Sequence, residues 1–153
     1  MALSCRAAAL RFLKVRPRSV YELREKLTAK GFYPADIDET IAYLQSIDLL
    51  NDRAFTASWI QYRLARPFGF QRIVRELKEK GVGEDIIAGA VAEAREEHSE
   101  ETTAAALAQR KAERLGNIDP VKRKKRILDL LLRRGFPMDA VYKAINELRG
   151  HPP

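Results

Sequence analysis

Cysteine is nearly absent from this chain. Cys5 is the only one among 153 residues, which excludes an internal disulfide and suits a reducing, cytoplasmic setting. Histidine is almost as scarce: His98 and His151 stand alone, with no cysteine or second histidine at ligand spacing, so no zinc site is expected. Long apolar runs are missing too. The longest extend a few residues, far short of a bilayer span, so no membrane association is expected. The apolar start, Met1 to Leu13, carries Arg6 and Arg11, unlike a signal peptide. Alternating strand patterns and hairpin dipeptides are also lacking. Gly81-x-Gly83 has neither the third glycine nor the preceding strand of a dinucleotide loop, and Ser19, Ser46, Ser58 and Ser99 have no local partner base. Asp36-x-Asp38-Glu39 falls in the first turn of a helix, where acids serve the dipole. No cofactor and no catalytic set is expected; the chain does not read as an enzyme.

A repeat is present instead. Leu23 to Phe32 reads L-R-E-K-L-T-A-K-G-F, Ile73 to Val82 reads I-V-R-E-L-K-E-K-G-V, and Ile127 to Phe136 reads I-L-D-L-L-L-R-R-G-F. Counted from Gly31, Gly81 and Gly135, an apolar residue stands eight before (Leu23, Ile73, Ile127) and four before (Leu27, Leu77, Leu131). A cation comes directly before the glycine, and Phe32, Val82 or Phe136 directly after. Six, ten and thirteen residues beyond come Ile37, Ile41 and Leu44, then Ile87, Val91 and Ala94, then Val141, Ile145 and Leu148. Apolar residues four apart share a helix face. A glycine closing such a helix marks a left-handed cap, whose flanking apolar pair touches in a Schellman motif. Each copy is thus a helix, a glycine corner and a second amphipathic helix.

Leading helices complete the unit. The first runs through Leu3, Ala7, Leu10 and Leu13 to Arg16-Pro17. The second begins at a cap, Asn51 or Asp52, and breaks at Arg66-Pro67, fifty residues after Arg16-Pro17. The third runs from about Ser99 to Leu115. Ser19-x-x-Glu22 forms a capping box, and Pro34 and Pro120 suit first helical positions. The expected fold is all-α: three tandem three-helix repeats, residues 1–50, 51–98 and 99–150, forming a curved, elongated array with a concave face. Residues 151–153 are expected to be a frayed tail. A monomer is expected.

Charge is placed unevenly. Of the formal +7, residues 101–153 supply the excess, with 12 basic against 6 acidic side chains, so an anionic partner would be drawn there first. Two constellations carry it. Lys122, Arg123, Lys124, Lys125 and Arg126 open a helix that closes with Arg133 and Arg134. Five cations at a helix N-terminus oppose its dipole; they also circle the helix, so Lys124 falls near the core side or a groove beside it. The second set is Arg63, Arg66, Arg72, Arg75 and Lys78, with Arg72, Arg75 and Lys78 on one ridge. Glu76 and Glu79 stand close enough to neutralise them. Trp59, Tyr62, Phe68 and Phe70 could stack on bases, although at helical spacing a Trp59 is more often core.

Several of these residues carry a resemblance. Leu50-Asn51-Asp52-Arg53-Ala54-Phe55-Thr56-Ala57-Ser58-Trp59, followed by Arg63, Gly69, Arg72-Ile73, Glu76-Leu77 and Lys80-Gly81-Val82, resembles the central signature of the RecX family. Ser19-x-x-Glu22-Leu23-x-x-Lys26-Leu27-x-x-Lys30-Gly31-Phe32 resembles its first-repeat signature, and Arg134-Gly135-Phe136 the end of its third. Asn51 departs from the family's usual Asp, and caps a helix as well. The resemblance covers essentially the whole chain. It implies a cytoplasmic bacterial regulator of the RecA recombinase, active in recombination, DNA repair and the SOS response. Such proteins bind the RecA–DNA filament, lodge in its groove and inhibit ATPase, strand exchange and co-protease activity, with direct DNA contact as a weaker possibility. Two other readings stay open: a stand-alone DNA-binding protein using helix–turn–helix geometry, and a helical adaptor with no filament role. Salt dependence on naked against RecA-coated DNA separates them.

Overall fold

The computed structural model describes residues 2–149; the tail expected at 151–153 lies outside the described residues. Among these residues there are nine α-helices and no strand: α1 Cys5–Val15, α2 Val20–Ala29, α3 Pro34–Ser46, α4 Asp52–Leu64, α5 Phe70–Glu79, α6 Glu84–Glu97, α7 Glu100–Leu115, α8 Pro120–Arg133 and α9 Met138–Arg149. They form three tandem three-helix repeats. No helix among them is long and apolar enough to cross a membrane.

The glycine corners have the geometry that the spacing predicts. Gly31, Gly81 and Gly135 lie at φ 89, 73 and 89. Behind them the Phe32, Val82 and Phe136 amides donate to Leu27, Leu77 and Leu131 carbonyls at 3.3, 3.1 and 3.2 Å, while the glycine amides donate to Thr28, Lys78 and Leu132. That pair of bonds is the Schellman motif three times over.

Caps set the helix starts. Ser19 Oγ accepts from the Glu22 amide at 3.1 Å, and Glu22 Oε1 accepts from the Ser19 amide at 3.3 Å, so the capping box is complete. At α4 the cap is Asn51, whose Oδ1 accepts from the Ala54 amide at 3.1 Å. Asp52 has another duty: its Oδ1 accepts from the Val20 amide, the first of α2, at 2.8 Å. Glu100, first residue of α7, does the same for the Phe70 amide that opens α5, at 2.6 Å. The first turn of one repeat's leading helix therefore caps the middle helix of the repeat before it.

The chain packs as two compact units, each holding one such junction. One joins the first repeat and the start of α4, through Trp59, to Leu77–Ala90. Its core is Leu23, Leu27, Ile37, Ile41 and Leu44 with Cys5, Ala8, Ala9 and Leu50. Ser19 Oγ also donates to the Lys80 carbonyl at 2.6 Å, fixing α2 to the end of α5. The other joins Ile60–Glu76 to residues from Val91 onward. There Ile127, Leu131, Phe136, Val141 and Ile145 pack with alanines 104, 108 and 112 of α7 and 140 and 144 of α9. Small residues on both helices let α7 and α9 approach closely, and among the described residues this is the most extensive helix pair. Here the Gly69 amide donates to the Arg134 carbonyl at 2.8 Å.

Two sequence expectations need correction. The buried face of α1 is Cys5, Ala8 and Ala9, whereas Leu3 precedes the helix and Leu10 is 41% exposed. Alanine carries a weak hydrophobic signal, yet only a small side chain fits this close contact. Trp59 is half-buried rather than core; it stacks on Phe55 with centroids 6.2 Å apart, and Lys80 Nζ lies 4.4 Å from its ring centroid.

Candidate interface for an anionic partner

The Arg63 to Lys78 set does not behave as one basic ridge. Arg63 Nε donates to Glu76 Oε2 at 2.8 Å, and Arg72 Nε donates to Glu76 Oε1 at 3.2 Å. Glu76 is thus held by two guanidinium groups. A second Arg72 nitrogen donates to the Arg133 carbonyl at 3.1 Å. The guanidinium carbons of Arg63, Arg72 and Arg134 also surround one ring, Phe68, at 4.8, 4.7 and 4.8 Å from its centroid. Phe68 and Phe70 are 8% and 0% exposed. They are therefore out of reach of a base and cannot stack on one: the turn after α4 folds inward, and Phe68 is the platform for these arginines. Tyr62 stays exposed, with Arg63 and Arg66 over its ring at 5.7 and 5.3 Å.

What remains of that set for a partner is smaller. Arg66 and Arg75 are exposed. Lys78 belongs to the first unit and lies 3.9 Å from Glu84, a surface pair of little energetic weight.

Around Arg66 the fold adds cations absent from the sequence-based set. Arg66 and Pro67 meet Arg110, Lys111 and Arg114 of α7, with Leu130 of α8 and its cap Arg134, around a cavity of about 290 Å³. Positions 107, 110, 111 and 114 share one helix face, which is the signal that could have found them. Glu113, beside Arg114 in sequence, masks it, although its carboxylate is taken by Gln109 Nε2 at 3.1 Å. No acidic residue lines the cavity. The Arg134 guanidinium is driven below the usual arginine range, first by burial and then by the charges of Arg72, Arg133 and Arg110.

The Lys122 to Arg126 run is wholly exposed. Arg123 and Lys124 line a groove of about 410 Å³ whose other walls include Val121, Ile127, Ile145 and Leu148. Asp119 caps this helix, its carboxylate accepting from the Lys122 amide at 3.2 Å. At about 1.5 Å rise per residue, Lys124 and Arg134 stand about 15 Å apart along α8. The basic residues of the third repeat thus form two groups at opposite ends of one helix.

Comparison with known proteins follows the same three-part division. Family models for the first, second and third three-helix domains of RecX match residues 5–44, 51–91 and 99–145. The chain is similar to the regulatory protein RecX of Amycolatopsis mediterranei, 34% identical over 137 residues, covering 88% of this chain and 77% of that one. It is likewise 36% identical over 152 residues to the regulatory protein RecX of Corynebacterium efficiens, covering 93% and 72%. The crystal structure of RecX from Lactobacillus salivarius superposes with a TM-score of 0.79 at 25% identity, covering 95% and 94% of the two chains.

Proposed function

Because the chain belongs to the RecX family of regulatory proteins, we propose that it regulates the RecA recombinase. In this reading it acts as a cytoplasmic, monomeric binding protein rather than an enzyme. It lodges in the groove of the RecA–DNA filament and inhibits ATPase, strand exchange and co-protease activity. The carrying observation is that all three RecX domains occur in order along the chain.

Electrostatics supports a filament over a bare duplex. In a helix–turn–helix reading the recognition helices would be α3 and α6. The first has Asp36, Asp38 and Glu39 and no cation; the second has five acids against Arg95. Both would repel phosphate. The cations instead gather at the two ends of α8, where Lys122 to Arg126, Arg133 and Arg134 can meet acidic parts of the filament or the DNA it carries.

The test is the RecA ATPase rate on single-stranded DNA, titrated with this protein. Inhibition far below one copy per RecA monomer supports a modulator that caps the polymer or propagates along it. Inhibition only near one per monomer supports coating of the groove. An unchanged rate, together with tight binding to naked DNA, overturns the proposal in favour of a stand-alone DNA-binding protein.

A further inference from the structure

We propose that the cavity formed by the α4–α5 turn, α7 and the end of α8 binds a small oligophosphate, a short phosphate chain carrying several negative charges. Five cations converge there from three separate elements: Arg66 from the turn, Arg110, Lys111 and Arg114 from one face of α7, and Arg134 from the cap of α8. They line a half-open cavity of about 290 Å³, and no carboxylate lines the space.

The acids nearest in sequence are engaged elsewhere. Glu113 accepts from Gln109, and Glu76 holds Arg63 and Arg72. The lining itself supplies no negative charge, and a bound anion would provide it. The electrostatic strain is visible at Arg134, whose guanidinium is disfavoured first by burial and then by Arg72, Arg133 and Arg110. Arginine does not give up its proton at physiological pH, so this repulsion persists in the free protein and a bound anion relieves it.

Shape and chemistry narrow the class. Guanidinium forks match phosphate oxygens in bidentate fashion, and Lys111 adds a point charge. A volume at the lower edge of small-molecule sites holds a phosphate chain and leaves any attached nucleoside outside. The apolar side chains of Leu107 and Leu130 in the lining lower the local dielectric and strengthen each charge contact. Lys122 to Arg126 are arranged differently: they encircle an exposed helix instead of converging, which suits an extended polymer.

The experiment is calorimetric titration of the full chain with sodium tripolyphosphate near 150 mM salt, where diffuse surface attraction is screened. Saturable one-to-one binding is expected. A variant combining Arg110→Gln and Arg114→Gln should bind at least tenfold more weakly. Both side chains are exposed, and circular dichroism checks that the variant keeps its helices. Lys124→Gln with Lys125→Gln removes the same charge elsewhere and should leave binding within twofold. Parallel titration with ATP, free of magnesium, identifies the source: equal affinity assigns the site to the phosphate chain alone, and tighter binding assigns it to a nucleotide. The absence of saturable binding overturns the proposal. So does equal weakening by the two variant pairs, which would mean a diffuse field. So does a single-stranded oligonucleotide that depends on Arg110 and Arg114 while tripolyphosphate does not bind. This site is independent of RecA: tripolyphosphate binding by a chain that fails to inhibit the ATPase would leave it standing.

Discussion

Gly31 and Gly135 turn the backbone through the same φ of 89, but a side chain would meet different surroundings at each. A Cβ built on Gly31 touches nothing within 4 Å, whereas one on Gly135 runs into the backbone and Cβ of Arg72. Gly31→Ala therefore carries only the left-handed strain, about 1 kcal/mol. Gly135→Ala adds a collision with main chain and should lose roughly 3 kcal/mol or more. Urea unfolding midpoints measure the difference; equal losses would show that Arg72 yields freely. Glu22 makes a second case at this scale. Burial alone would raise its pKa, but hydrogen bonds from Arg16 and the Ser19 amide and the charge of Lys80 at 3.6 Å outweigh that and hold it below the usual glutamate value. A depressed carboxylate stabilises the fold above its unfolded pKa and loses that contribution as pH falls through the folded one. At pH 7 the wild type should exceed Glu22→Gln by roughly 1–2 kcal/mol. The gap should begin to narrow as pH falls toward the ordinary glutamate value of about 4.3 and close as it passes below the depressed folded one. A gap constant with pH would assign the loss to the capping geometry instead of the charge.

The first two turns of helix α8 carry five cations, of which Lys122 and Arg123 stand closest to the positive end of its dipole. A helix selected for stability alone would place acids there, as α7 does with Glu100 and Glu101. Reversing Lys122, Arg123, Lys125 and Arg126 to Glu should therefore leave the melting temperature unchanged or slightly higher, with a gain of about a few tenths of a kcal/mol at each of the first two sites. The same variant should weaken inhibition of RecA. Inhibition at wild-type strength would remove this run from the interface. At this scale most of the fold was legible before the structure. Glycine corners, capping box and prolines are local devices, each fixed by residues within about five positions. What lay beyond reach was contact between distant elements. Asp52 reads in sequence as a candidate cap for its own helix, and nothing local shows that it and Glu100 take the Val20 and Phe70 amides. The face of α1 was missed for a related reason: Ala8 and Ala9 acquire their value from what packs on them.

Across the whole molecule, the same separation explains how the basic surface was only half legible. The run at 122–126 is contiguous and could be read directly. Arg63 and Arg72 look equally available in sequence, yet Glu76 and Phe68 absorb them. Arg110, Lys111 and Arg114 were overlooked because the fold, not the sequence, brings Arg66 and Arg134 to them. The outcome is two cationic groups about 15 Å apart along α8, farther than the Debye length of about 8 Å at physiological salt. Groups so separated should act independently on a polymeric partner. Binding to RecA-coated single strands, followed by anisotropy across a salt series, tests this with three variants. Changing Lys122, Arg123, Lys125 and Arg126 to Gln should flatten the plot of log affinity against log salt by about 1 per phosphate contact removed. Changing Arg110 and Arg114 to Gln should leave that slope near wild type, because cations that converge on one cavity do not track a strand. In the combined variant the free-energy losses should add within about 0.5 kcal/mol. A larger coupling would mean that one stretch of the partner spans both ends of α8, and the cavity would then belong to the filament interface.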